Sequence, residues 1–279
     1  MVATTAAITV NLFDMTHARG DPGRGEGQSQ GEVQSLYWCS VRHYGRFMAN
    51  DAQARRHAAA VVARLAQEYP DERLALNFSN PFELLMALIL AAQCTDERVN
   101  QLTGSLLFAK YPTPDRLLAV AVGELEADIH PTGFFRNKAR SLRGCCQCLV
   151  DSHGGAVPRR LADLLALPGV GRKTANILRG NAFGDDAIGV DTHVGRLARR
   201  LGLSASEDPD TVEADLCAAV EPTEWTRLCP RLRSHGRKVC QARKPSCWLC
   251  PLADLCPYPE KTVAPLAKKV QPAFGRKAR

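Results

Sequence analysis

The stretch Leu167-Pro-Gly-Val-Gly-Arg-Lys-Thr-Ala175 decides how this chain is read. It lies between an apolar stretch (Leu161, Leu164, Leu165) and a helical pattern carrying Ala175, Ile177 and Leu178. Pro168 stiffens the turn, and Gly169 and Gly171 allow positive φ and close backbone approach. The result is a helix-hairpin-helix over about residues 161–181. Its second helix begins with N–H groups that lack an intrahelical acceptor, an anion pocket suited to a phosphodiester. Arg172 adds charge beside that pocket. Such a hairpin holds a DNA backbone without saying what is done to it.

Outward from the hairpin the pattern stays helical. Asp51 to Tyr69 is amphipathic, with Val61, Val62, Leu65 and Tyr69 at helical spacing. Asn80 is placed to cap a helix that has Pro81 first and Glu83 third. Further helices are expected over 97–111, 113–122, 122–129, 137–152, 160–165, 172–181, 193–201 and 210–219. No stretch shows sustained strand alternation, so the fold class is all-α.

Composition narrows the class. The 279 residues are 45% hydrophobic and 23% charged, the proportions of a soluble globular protein. The best apolar run, Leu84 to Ala92, is half the ~18–20 residues a membrane span needs. A net charge of +7 is compatible with a polyanionic partner, and 6% aromatics argue against a surface built on base stacking. Arg19 to Gly31 is Gly-rich and polar, so residues 1–50 read as a disordered extension, with Met48 as an alternative start. Residues 261–279 read as a basic tail. Eleven cysteines cannot all pair within the chain, and no secretory signal opens it. A reducing, cytoplasmic setting follows, with cysteines kept for a metal or for packing.

Lys173 and Asp191 stand out. Lys173 lies on the first turn of the hairpin's second helix, and a lysine amine there is suited to nucleophilic work. Eighteen residues on, Asp191 in Gly189-Val-Asp-Thr-His-Val194 sits where a helix N-cap fixes a carboxylate by backbone donors. Singly, each has a plain alternative: a solvated phosphate contact, an ordinary cap. Cys240, Cys247, Cys250 and Cys256 give C-x6-C-x2-C-x5-C, which suits either a [4Fe–4S] cluster or a tetrahedral zinc. Arg243 and Lys244, between the first two cysteines, are placed to present charge to phosphates.

Together, LPGVGRKTAN and the later VDTH resemble the signature of the endonuclease III family of DNA glycosylases, and the resemblance runs from about Leu76 to Cys256. It implies two helical domains with a DNA cleft between them. Residues 74–185 would form one, and 51–73 with 186–260 the other, bearing the cluster. It implies that Lys173 is the nucleophile, Asp191 the catalytic carboxylate, and the four cysteines the ligands of a structural [4Fe–4S] cluster. Gln93 matches the position that plugs the gap left by an extruded base. Phe134 stands where the family usually inserts an aliphatic wedge, a departure toward a larger side chain. Gly195 replaces a bulkier residue, which would loosen its helix start, and Asp96 would support the pocket near Gln93. His193 reads as a hydrogen-bonded structural histidine.

The activity implied is a bifunctional glycosylase and abasic-site lyase acting on oxidised pyrimidines in damaged double-stranded DNA, working as a monomer away from membranes. Three other activities compete with this one. Lys173 and the short C-terminal region argue against an adenine-mismatch glycosylase. A pyrimidine-dimer glycosylase of the same superfamily uses the same pair of residues. A noncatalytic DNA-binding cluster protein would form no covalent adduct.

Overall fold

A computed structural model describes residues 51–264. The sequence readings for residues 1–50 and for 265–279 lie outside the described residues. Among the described residues there is no strand.

Two apolar cores organise the chain. The first gathers side chains from Leu76 to Leu178. Its centre is α2 (Pro81–Leu90), where Phe82, Leu84, Leu85, Met86, Ala87, Ile89 and Leu90 are all buried. The Asn80 side chain accepts from the Glu83 N–H at 3.0 Å and Glu83 accepts from the Ser79 N–H at 2.6 Å, so the start of α2 is closed in both directions. Around it pack α3 (Asp96–Leu102), α4 (Pro114–Leu118), α5 (Val122–Ile129), α6 (Phe135–His153), α7 (Leu161–Leu165) and α8 (Arg172–Ala182). The second core joins Ala58, Val61, Val62, Leu65 and Tyr69 of the first helical segment to residues from Ile188 to Leu252. It is built from α1 (Asp51–Glu68), α9 (Thr192–Arg200), α10 (Pro209–Ala219) and α11 (Trp225–Lys238).

Three local differences from the sequence reading have physical causes. The helix expected over 97–111 contains a π-turn, Thr103–Leu107, between α3 and a short helical end at Phe108–Lys110. Thr103 and Ser105 hydroxyls donate back to the carbonyls of Val99 and Gln101, loosening the regular ladder there. The stretch 113–122 breaks after Leu118, and Arg143 from α6 donates to the carbonyls of Leu117, Leu118 and Val120 exposed by that break. Helix α11 was not anticipated, because Pro230 sits inside it and basic residues interrupt its apolar stripe. Trp225, Leu228 and Leu232 nevertheless bury one face.

The hairpin joins α7 to α8. Leu167 and Val170 are buried in the first core, which pulls the turn inward. Gly169 is left-handed at φ +83°, and a Cβ there would stand 2.8 Å from the Ser141 Cβ on α6. Gly171 differs from expectation: it caps α8 at φ −91° in extended backbone, and nothing lies within 4 Å of a Cβ placed on it. Only Gly169 is there for its backbone conformation. Substituting Gly169→Ala is expected to destabilise the fold by about 2–4 kcal/mol, the sum of left-handed strain and overpacking. Gly171→Ala is expected to change stability by less than ~0.5 kcal/mol. Chemical denaturation of the two variants side by side checks the contrast.

Candidate functional site

The segment that follows α8 folds back over its first turns. The buried Asn176 side chain donates to the Ile188 carbonyl at 2.9 Å. Gly189 then passes so close that a Cβ would meet Ile177 at 2.7 Å and the Lys173 carbonyl at 3.3 Å. Two residues later Asp191 caps α9. Its Oδ1 accepts from the N–H groups of His193 at 2.9 Å and Val194 at 2.8 Å. Its Oδ2 accepts from Arg233 Nε of α11 at 3.2 Å, and the carboxylate side chain is 11% exposed. Burial alone would raise the Asp191 pKa. The Val194 N–H and the positive charges of Arg233, Lys173 and His193 outweigh it and hold the carboxyl below its ordinary value. Lys173 is exposed, on the first turn of α8. A surface amine and a buried, fixed carboxylate therefore act on each other across the junction of the two cores.

Arg172, read in the sequence as charge beside the anion pocket, is engaged within the protein as well. Its guanidinium grips Glu213 of α10 through Nε at 2.8 Å and Nη2 at 2.9 Å, with Asp210 at 3.5 Å. That fork ties the hairpin to the second core and offsets the positive charge of the side chain. The unpaired N–H groups at the start of α8, which has no side-chain cap, remain as the anion-facing feature.

Cys240, Cys247, Cys250 and Cys256 line one cavity, together with Arg200, His235 and Tyr258. Among the described residues no three His, Cys or carboxylate groups converge to hold a single metal ion. The four thiols share one cavity, and four thiolates are a donor set that fits a [4Fe–4S] cluster. Arg200 donates to Cys240 Sγ at 3.3 Å and stacks over Tyr258 at 4.7 Å. His235 Nε2 lies 3.5 Å from Cys250 Sγ, and its Nδ1 lies 3.0 Å from the Tyr69 hydroxyl. Burial pushes His235 down to about 4, so the ring is neutral at ordinary pH. Lys261 and Thr262, read as the start of the tail, fasten back onto this loop at Ala253 and Pro245.

Among the described residues, three non-glycine residues have left-handed φ: Gln93 at 52°, Phe134 at 48° and Lys244 at 51°. All three are exposed, Phe134 to 64%. Arg243 is exposed beside Lys244. Asp96, at the start of α3, faces Arg237 of α11 at 3.5 Å and so links the first core to the second. His193 Nδ1 pairs with Arg196 at 3.1 Å, and burial lowers its pKa. Gly195 crowds nothing and α9 forms regularly, its N–H donating to the Asp191 carbonyl at 2.9 Å.

Sequence reasoning missed Arg233, His235 and Lys138. The first two lie on the unforeseen helix. Lys138 is a buried lysine, 5% exposed, donating to the carbonyls of Leu90 and Thr132 at 2.8 Å each. It joins the roots of the loops that carry Gln93 and Phe134. Only its position on the apolar face of α6 hinted at this.

Comparison with known proteins places these features. The family of HhH-GPD superfamily base excision DNA repair proteins matches residues 86–222, and the iron-sulfur binding domain of endonuclease III matches 240–256. Endonuclease III of Synechocystis is 45% identical over 207 residues, 74% of this chain and 94% of the relative. A solved non-covalent endonuclease III–DNA complex has 43% identity and a TM-score of 0.69, over 73% of this chain and 95% of that one. A trapped endonuclease III–DNA covalent intermediate has the same identity and TM-score, over 73% and 96%. With the family shown, so is the cofactor, a [4Fe–4S] cluster. The chain belongs to the endonuclease III family of DNA glycosylases, in the HhH-GPD superfamily of base excision DNA repair.

Proposed function

We propose that this enzyme removes oxidised or ring-saturated pyrimidines from duplex DNA and then cleaves the strand, through an imine on Lys173. The single observation that carries the reading is the opposition of exposed Lys173 to the buried, anchored carboxylate of Asp191. A relative of the same fold has been captured as a covalent intermediate with DNA, which supports a nucleophile on the protein.

In this reading duplex DNA lies across the junction of the two cores. The start of α8 and the Arg243–Lys244 turn receive backbone phosphates. Gln93 and Phe134 enter the stack where the target nucleotide leaves it, and their left-handed backbones support that role, since strain of this kind gathers at functional sites. Fixed beside the extruded sugar, Asp191 stabilises positive charge developing at C1′ as the glycosidic bond breaks. The base leaves with that bond's electron pair and takes a proton. The neutral Lys173 amine forms the new bond to C1′, and opening of the sugar ring gives the imine. Loss of a C2′ proton then expels the 3′ phosphate by β-elimination, and water releases Lys173. Cys240, Cys247, Cys250 and Cys256 hold the cluster, which when bound cross-links the loop carrying Arg243 and Lys244. The protein acts as a monomer.

Three outcomes are expected. Borohydride should trap wild-type protein on duplexes bearing thymine glycol or an abasic site, and Lys173→Gln should give no adduct on either; trapping at the abasic site alone would redirect the lesion class. Asp191→Asn should slow base release by about 10²–10³-fold with little change in duplex affinity, measured in single turnover. Cys250→Ser protein should lose iron by elemental analysis and bind duplex DNA more weakly, while a variant keeping full iron would overturn the ligand assignment.

A further inference from the structure

The mechanism leaves unused a charged group that touches Asp191. Arg233 points from α11 at the catalytic junction, its side chain 14% exposed, and its Nε donates to Asp191 Oδ2 at 3.2 Å. It touches the oxygen that the helix cap does not hold. Oδ1 is occupied by two backbone N–H groups, so Arg233 closes the remaining side of the carboxylate. An aspartate that must take the Lys173 proton needs a free, basic oxygen. One that must only remain an anion beside a developing cation benefits from a permanent positive partner.

We propose that Arg233 is a positioning residue that holds Asp191 as a fixed anion, so that Asp191 stabilises the sugar cation and does not accept the Lys173 proton. This rests on the reading of Asp191 as the catalytic carboxylate. The Lys173 proton is then lost to water at the exposed amine.

Titratable or charged groups face Asp191 from α8, α9 and α11, the Cys229 thiol among them neutral because burial pushes it up to about 12. Lys173 faces it from α8, His193 and Arg196 from α9, and Cys229 and Arg233 from α11. The lowered Asp191 pKa accords with that set. Of these groups, Arg233 is the one whose side chain hydrogen-bonds the carboxylate directly. The sign follows. Without Arg233 the carboxyl titrates higher, so the acid side of the activity profile moves to higher pH. At neutral pH the freed oxygen is a better electrostatic partner and a better base.

The test is the single-turnover rate of imine trapping on thymine glycol duplex, with Arg233→Gln, Arg233→Lys and Asp191→Asn beside the wild-type holoenzyme, from acidic to neutral pH. Each variant's rate is read as its ratio to wild type at the same pH. For Arg233→Gln the ratio should be at or above one at neutral pH and fall on the acid side, where the variant's carboxyl takes up a proton before the wild type's does. Arg233→Lys should restore a flat ratio near one. A pH-independent ratio for Arg233→Gln, at any height, overturns the proposal and leaves the Asp191 reading standing. A wild-type rate for Asp191→Asn overturns that reading itself. Should Arg233→Gln fail to fold, carboxyl 13C titration of Asp191 in the wild-type holoenzyme decides: a midpoint below the ordinary ~3.9 is expected, and one at or above it overturns the proposal.

Discussion

The contact on which this structure depends is the close passage of residues 188–191 over the start of α8. Asn176 holds the Ile188 carbonyl, and Gly189 has no side chain to keep the segment away from the Lys173 backbone. Everything chemical follows from that distance. The segment enters α9 at Asp191, so the cap of one core's helix stands beside the lysine carried by the other core's helix. Any residue larger than glycine at 189 meets the Lys173 carbonyl, which cannot move without unwinding the turn that carries the amine.

The junction is otherwise made of arginines that serve the protein before they serve DNA. Arg172 binds Glu213, Arg233 binds Asp191, and Arg237 faces Asp96. Arg196 and Arg200 donate to carbonyls of the cysteine loop, at Cys240 and Gln241. The formal charge of +7 already nets out the paired carboxylates, so this internal pairing decides where positive charge is displayed and not how much of it there is. What remains for phosphates is concentrated on backbone N–H groups and on exposed side chains such as Lys244.

The three left-handed residues show a second economy of design. Gln93 and Phe134 hold an unfavourable backbone conformation that costs on the order of 1–3 kcal/mol each. The buried Lys138 amine ties the two loops from beneath, through Leu90 and Thr132. Burying an amine is itself unfavourable, and two carbonyl acceptors make it tolerable. The exposed Gln93 and Phe134 side chains are therefore presented on braced loops and not on free ones.

The all-helical fold, the hairpin, the Asn80 cap and the four-cysteine loop were legible in the sequence, because each depends on neighbours within a few residues. Glycine placement, capping oxygens and thiol spacing act locally, so a short window contains the whole cause. Helix α11 was not legible: its propensity is broken by Pro230, and it forms because Trp225, Leu228 and Leu232 find a core assembled from distant segments. For the same reason Arg172 could be named as a cation but not assigned its partner, and Arg233 was not singled out at all. Glu213 lies 41 residues from Arg172 and Asp191 lies 42 from Arg233. Long-range ion pairing is decided by where packed helices come to rest, and that is a property of the tertiary structure alone.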